Sequence, residues 1–194
     1  MPNPGVKQLA TALRVAIPRL GGTRLLLVDG PAGSGKTTLA DAIAGALGVD
    51  SRAECPVQVL HGDDMYEGWS GLATLDGVLI DGVLDPLSRG ESGTFRRWDW
   101  HLGRRAEKIV VPPRPFLVVE GVGVASRRAR AHASMLIYVD APWETRIARG
   151  IARDGEAMRE EWERWQVSEA AHLEAAGTRD AADVVLDGTA PVPA

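Results

Sequence analysis

The stretch Gly30–Thr37, GPAGSGKT, constrains this chain more than any other. It matches G-x-x-x-x-G-K-[ST] in full, with a short apolar run before it and a helix-forming run after it. The chemistry needs that layout. Glycines at 30, 33 and 35 let the backbone N–H groups of the loop, Ala32 and Ser34 included, turn inward around a phosphate. The following helix points its positive end at the same anion. Lys36 reaches the β and γ phosphates, the Thr37 hydroxyl is a magnesium ligand, and Thr38 adds a phosphate contact. The loop therefore predicts a magnesium nucleotide, with ATP and Mg2+ as the expected cofactors, without itself choosing ATP over GTP. It leaves open whether the nucleotide drives motion, sets a switch, or donates its terminal phosphoryl group.

The bulk of the chain narrows the setting. Its 194 residues suit one domain, 1–194, with flexible tails at 1–5 and 189–194. A net charge of −4 leaves no surplus of positive charge to neutralise a nucleic-acid backbone. Only Lys7, Lys36 and Lys108 are lysines in an arginine-biased chain, so Lys36 stands out. A single cysteine, Cys55, excludes an internal disulfide and a zinc-ligand array. The opening MPNPG lacks a signal-peptide pattern, and runs such as LLLV and FLVV are too short to span a bilayer. A cytoplasmic enzyme with no membrane partner is the expectation.

Periodicity supplies the architecture. Val6, Leu9, Leu13, Ile17 and Leu20 fall at helical spacing, so a helix is predicted from Val6 to about Leu20, ended by Gly21 and Gly22. RLLLV, PVQVL, PFLVVEG, SMLIYVD and ADVVLDG read as buried strands. Helices are predicted over about 36–47 (ended by Gly48), 76–87 and 142–175, the last broken near Gly155. Strands alternating with helices predict an α/β fold, a mostly parallel sheet of about five strands with helices on both faces.

The ends of those strands separate the three uses of a nucleotide. No Asn-Lys-x-Asp is present to read guanine. A motor ATPase carries an acidic pair at a buried strand end, but FLVVEGV ends in one acid, Glu120, which can serve a magnesium shell without a water-activating partner. Asp140 precedes Ala-Pro and reads as a helix cap. The acidic pair appears instead at Asp63-Asp64, after the second strand. The carboxyl ends of parallel strands form the ligand crevice, so Asp63 or Asp64 can face the phosphate loop and accept a hydroxyl proton during transfer; a solvated turn is the plainer reading of HGDD.

In this order the segments resemble the uridine kinase family, within the group that includes phosphoribulokinase and bacterial pantothenate kinase. VLHGDDMYEGW looks like the family's strand followed by Asp-x-Phe-Tyr. That match implies Asp63 as general base and Tyr66 as a wall of the acceptor pocket, with Met65 in place of Phe. FRRWDWHLGR is similar to the segment that approaches the nucleoside base, and it brings Trp98 and Trp100 into the acceptor site. VVEGVG implies a magnesium or water contact for Glu120. TRIARGIARDG is similar to the family's arginine-bearing lid, here about 146–160. The resemblance covers roughly 25–187 and implies a P-loop kinase fold with a helical lid.

Two features carry weight beside it. Arg146, Arg149 and Arg153 are three and four residues apart and share a helical face, so they can converge on a transferring phosphoryl group; Arg149 and Arg153 join Asp63 and Lys36 as catalytic candidates. Trp98 and Trp100 are alternate residues and, if extended, point the same way, where an indole can stack on a base; a second hydrophobic cluster is the alternative. The sequence thus reads as an ATP-dependent kinase for a small hydroxyl acceptor. A nucleoside such as uridine or cytidine comes first. A sugar, a pantothenate-like molecule or an antibiotic comes next, and an ATP-binding regulator acting through a protein partner is the reading from another class.

Overall fold

The computed structural model describes residues 3–49 and 56–193, so Cys55 and the outermost tail residues lie outside the described residues. Helix α1 (Val6–Val15) leads to β1 (Arg24–Asp29), α2 (Lys36–Val49) and β2 (Val57–His61). A wide π-type helix (Gly77–Leu84) runs into α3 (Asp85–Ser88), followed by β3 (Gly93–Asp99), β4 (Arg104–Val111), β5 (Phe116–Glu120) and α4 (Arg127–Arg130). The chain then forms β6 (Ala133–Asp140), α5 (Trp143–Asp154), α6 (Arg159–Ala176) and β7 (Val184–Asp187).

Five strands build one parallel sheet in the order β2-β5-β1-β6-β7, as the sequence predicts. Its apolar runs are continuous because both faces are covered. Leu25 and Leu27 of β1 enter one core with Leu117, Val119 and Leu136, while Leu26 and Val28 enter the other with Val118 and Ile137. α1 and α2 close the second core; the π-type helix and α6 close the first. The chain reaches β2 before it returns to β5 beside β1, so the order reverses there and a crevice opens at the strands' carboxyl ends.

Several local expectations are corrected. α1 stops at Val15, five residues early, because Pro18 disfavours helical backbone at Ile17. α2 runs through Gly48 to Val49. Residues 93–111 pair as an antiparallel hairpin, β3–β4, that the strand pattern did not mark. Its start fits tightly on the π-type helix, since a Cβ at Gly93 would lie 2.7 Å from Val83 Cα. The long polar segment divides into α5 and α6 at Gly155, whose φ of +93° suits glycine. Asp140 does not cap α5, which begins after Pro142; its carboxylate instead lies 3.6 Å from Arg179. Beside the chain ends, Asn3 Nδ2 donates to the Asp187 carbonyl of β7 at 2.8 Å, and Val6 N of α1 donates to the Pro193 carbonyl at 2.7 Å.

Candidate active site

The phosphate loop occupies the turn between β1 and α2. Gly30, with φ +135°, lies so close to β6 that any Cβ there would collide with the Val139 carbonyl. Gly33, with φ +78°, lets the backbone of α5 pack at Arg146, where a Cβ would sit 2.7 Å from the Arg146 carbonyl oxygen. Lys36 is buried, and its Nζ donates to the Pro31 carbonyl at 2.9 Å. Two buried carboxylates that sequence reasoning missed anchor the loop. Asp29 Oδ1 accepts from Gly30 N and Gly123 N at 2.7 and 2.8 Å, and Oδ2 accepts from Ala125 N at 2.9 Å. Burial pushes its carboxyl up, while those backbone donors and Lys36 pull it down. Glu169, on α6, accepts from Ala32 N at 2.8 Å. A lone charge ending an apolar strand was a visible signal for Asp29; nothing in the sequence distinguished Glu169.

Two strand ends and the start of α2 meet beside the loop. Glu120 Oε1, at the end of β5, accepts from the Thr37 hydroxyl at 3.1 Å and lies 2.8 Å from His61 Nδ1, at the end of β2. That bond holds the His61 imidazole above its usual range against the opposing effect of burial. A hydroxyl and a carboxylate oxygen are the donor chemistry magnesium takes alongside phosphates and water, so Thr37 and Glu120 fit such an ion. Among the described residues no group of three His, Cys, Asp or Glu side chains could hold a metal by itself.

Asp63 follows β2 in a short 3-10 turn, 62–64, and lines a cavity of about 710 Å³ together with Lys36, Thr37 and Glu120. Its side chain is open to that cavity, yet protein surrounds it closely. Desolvation first, and the Glu120 charge next, push its carboxyl above the usual range, with Lys36 and Arg153 opposing. Asp64 is half-buried and does not line the cavity.

Beyond Asp63 the wall is aromatic. Trp69 meets Trp100, Trp165 and Trp162 edge to face, at centroid distances of 5.6, 5.8 and 6.4 Å. Trp100 Nε1 donates to the Asp63 carbonyl at 2.9 Å. Trp98, expected in the same pocket, does not line it. Asp99 Oδ1 accepts from His101 N and Leu102 N, which turns the chain there, so 98 and 100 are not alternate positions of one strand. Trp98 stays in β3, with the Arg105 guanidinium 5.6 Å from its ring. Tyr66 borders the cavity, but its hydroxyl donates to the Val122 carbonyl at 2.6 Å and its ring tilts against Trp165. Trp162 and Trp165 of α6 also belong to the wall.

The three arginines do not converge. Arg146 is buried and pairs with Glu169 at 2.5 Å. Arg149 faces the cavity and donates to the Gly33 and Gly188 carbonyls, each at 3.0 Å. Arg153 also faces it, held by both oxygens of Asp154 at 2.7 and 3.0 Å and stacked 5.5 Å from the Trp162 ring. A side chain of four carbons turns with its own contacts, and shared helical spacing does not fix where the guanidinium goes.

A second cavity, about 440 Å³, adjoins the first and shares Gly35, Thr38 and Arg149 with it. Its other walls are largely apolar, from Leu39 and Ala42 on α2 to Leu186, Pro191 and Val192 at the chain's end. Among the described residues no helix is long and apolar enough to cross a membrane.

The chain is similar in fold to a solved structure from Bacillus stearothermophilus, described as a possible uridine kinase. The two are 20% identical, the match covers 94% of this chain and 97% of that one, and the TM-score is 0.64. A "putative fructose transport system kinase" from Silicibacter sp. TM1040 gives 20% identity, 93% and 98% coverage and a TM-score of 0.66. No family model and no curated protein matches the chain. The structural likeness establishes that the chain shares the α/β fold of these two structures.

Proposed function

We propose that this protein is an ATP-dependent small-molecule kinase that transfers the γ-phosphoryl group to a hydroxyl, with a nucleoside such as uridine or cytidine as acceptor. One observation carries the reading. Asp63, in the turn after β2, and Lys36, at the start of α2, face one cavity, so an acceptor oxygen and a donor phosphate can meet between them. The fold shared with a possible uridine kinase supports it. The adjoining apolar cavity offers a separate place for the donor's base. Because Asp63 lines the cavity and Asp64 does not, Asp63 is the better base.

In this reading the acceptor oxygen bonds the γ-phosphorus, its proton passes to the Asp63 carboxylate, and the bond to the β-phosphate oxygen breaks as ADP leaves. Lys36 exchanges the Pro31 carbonyl for phosphate oxygens, and Arg149 is placed to do the same from Gly33. Thr37 and Glu120 would hold magnesium, which supplies positive charge to the β and γ oxygens when bound. The acceptor is uncharged, because the guanidinium nearest the aromatic wall, Arg153, is already neutralised by Asp154. The wall itself gives a planar ring an apolar surface to lie on.

The test is ADP release in a coupled assay with a panel of nucleosides, nucleotides and sugars. Release should stay slow with ATP and magnesium alone and rise with a neutral nucleoside. If no small molecule raises it while a protein partner does, the kinase reading is wrong and the regulator reading replaces it.

A further inference from the structure

Glu169 sits on α6, 137 positions along the chain from Ala32, and the transfer chemistry above does not use it. Its side chain is fully buried. One carboxylate oxygen accepts from Ala32 N at 2.8 Å and the other binds Arg146 Nη1 at 2.5 Å. Arg146 also donates through Nε to the Ala141 carbonyl at 3.0 Å, and its Nη1 reaches the Ala32 carbonyl at 3.4 Å. One buried ion pair therefore holds both backbone polar groups of a phosphate-loop residue.

Stability alone does not explain the pair. A well-packed apolar pair of similar volume is often as stable as a buried ion pair or more so, since neither charge then has to leave water. The charge is also in an odd place, because a carboxylate on the loop repels the polyphosphate expected there. What the pair does provide is a fixed Ala32. The next backbone donors, Gly33 N and Gly35 N, bond nothing among the described residues and remain free for an anion, while Ser34 N bonds back to the Pro31 carbonyl at 3.3 Å. The helix that supplies Glu169 also supplies Trp165 and Trp162 to the aromatic wall, one and two turns earlier.

We propose that Glu169 is a positioning residue that locks Ala32 through its pair with Arg146, so that the phosphate loop holds its anion-binding shape before the nucleotide arrives. The inference rests on reading the loop as the donor site. A loop in its competent shape only a tenth of the time binds about tenfold more weakly. The pair removes that loss, and it ties the loop to the helix that bears the acceptor wall.

The test is the paired substitution Arg146→Met with Glu169→Met, which removes both charges and keeps apolar volume. The nucleotide-free variant should melt within about 5 °C of wild type, since the neutral pair packs in place of the ionic one. Its Kd for MgADP, measured by calorimetry, should nevertheless rise at least about tenfold. A Kd within about threefold of wild type in a variant of wild-type stability would make the pair merely structural and overturn the proposal. Hydrogen exchange of nucleotide-free wild type decides the matter if the variant does not fold. The Ala32 amide should be protected while those of Gly33 and Gly35 exchange fast, and equal fast exchange at all three would also overturn it. Absence of MgADP binding by wild type would instead sink the donor-site reading.

Discussion

Tyr66→Phe separates a structural tyrosine from a substrate-binding one. The hydroxyl is fully buried and donates to the Val122 carbonyl at 2.6 Å. Its surroundings leave no slack, because a Cβ at Gly62 would lie 2.8 Å, and one at Gly121 3.0 Å, from the same oxygen. Removing the hydroxyl leaves the buried Val122 carbonyl without its donor, which costs about 1–3 kcal/mol. A chain of 194 residues has an unfolding entropy of about 0.4 kcal/mol/K, so Tm should fall by about 3–7 °C. The hydroxyl is committed to the Val122 carbonyl, so kcat/KM with the acceptor should change by no more than about threefold. Thermal melts and the coupled ADP assay read the two effects separately. An unchanged Tm with kcat/KM reduced more than about tenfold would refute the reasoning, since the hydroxyl would then have left Val122 to serve the substrate.

Asp63→Asn should lower kcat by about 10²–10⁴ while MgADP affinity holds; near-normal turnover would show that Asp63 is not the base. Because desolvation raises the Asp63 carboxyl, the acid limb of the pH–rate profile should lie above the ordinary carboxylate range, with activity lost as pH falls through it. The same shift has the opposite sign for stability: ionised Asp63 disfavours the folded state, so its contribution is present at low pH and lost as pH rises through the raised value. A limb at the unperturbed Asp value contradicts both. Asp29→Asn turns an amide NH2 towards backbone donors that now meet a carboxylate, and it should cost about 1–3 kcal/mol in urea unfolding; an unchanged midpoint would mean those three bonds contribute nothing net. Gly150→Ala would put a Cβ 2.5 Å from the Trp162 ring, and should destabilise by about 1–3 kcal/mol in the same assay unless the wall gives way freely.

The parallel sheet was legible because its central strands β1, β5 and β6 are continuous apolar runs covered on both faces, and the phosphate loop was legible because its chemistry is local to eight residues. Thr37 was legible as part of that loop, and Asp63 and Glu120 because they lie at the carboxyl ends of apolar runs that the topology gathers. The hairpin β3–β4 escaped notice because most of its residues are exposed or half-exposed, so no apolar run marked it, and its turn depends on the Asp99 side chain. Trp98 and Trp100 then parted for a reason that strand periodicity cannot express.

The arginines expose a further limit, which lies in what the sequence says about partners. Helical spacing places Arg146, Arg149 and Arg153 on one face of α5, but each guanidinium ends on a different group. Arg149 holds neutral carbonyls, a bond that a phosphate oxygen can outbid by full charge. Arg153 already holds a carboxylate in two-point contact and would have to give up a charged partner for a charged ligand. Arg146 is committed through Glu169, whose carboxylate belongs to a helix that starts only at Arg159. Thus the availability of each arginine to a nucleotide is set by whether its resting partner is neutral or ionic. That partner is fixed by the packing of α5 against the phosphate loop and α6, across sequence separations that no spacing rule within α5 contains.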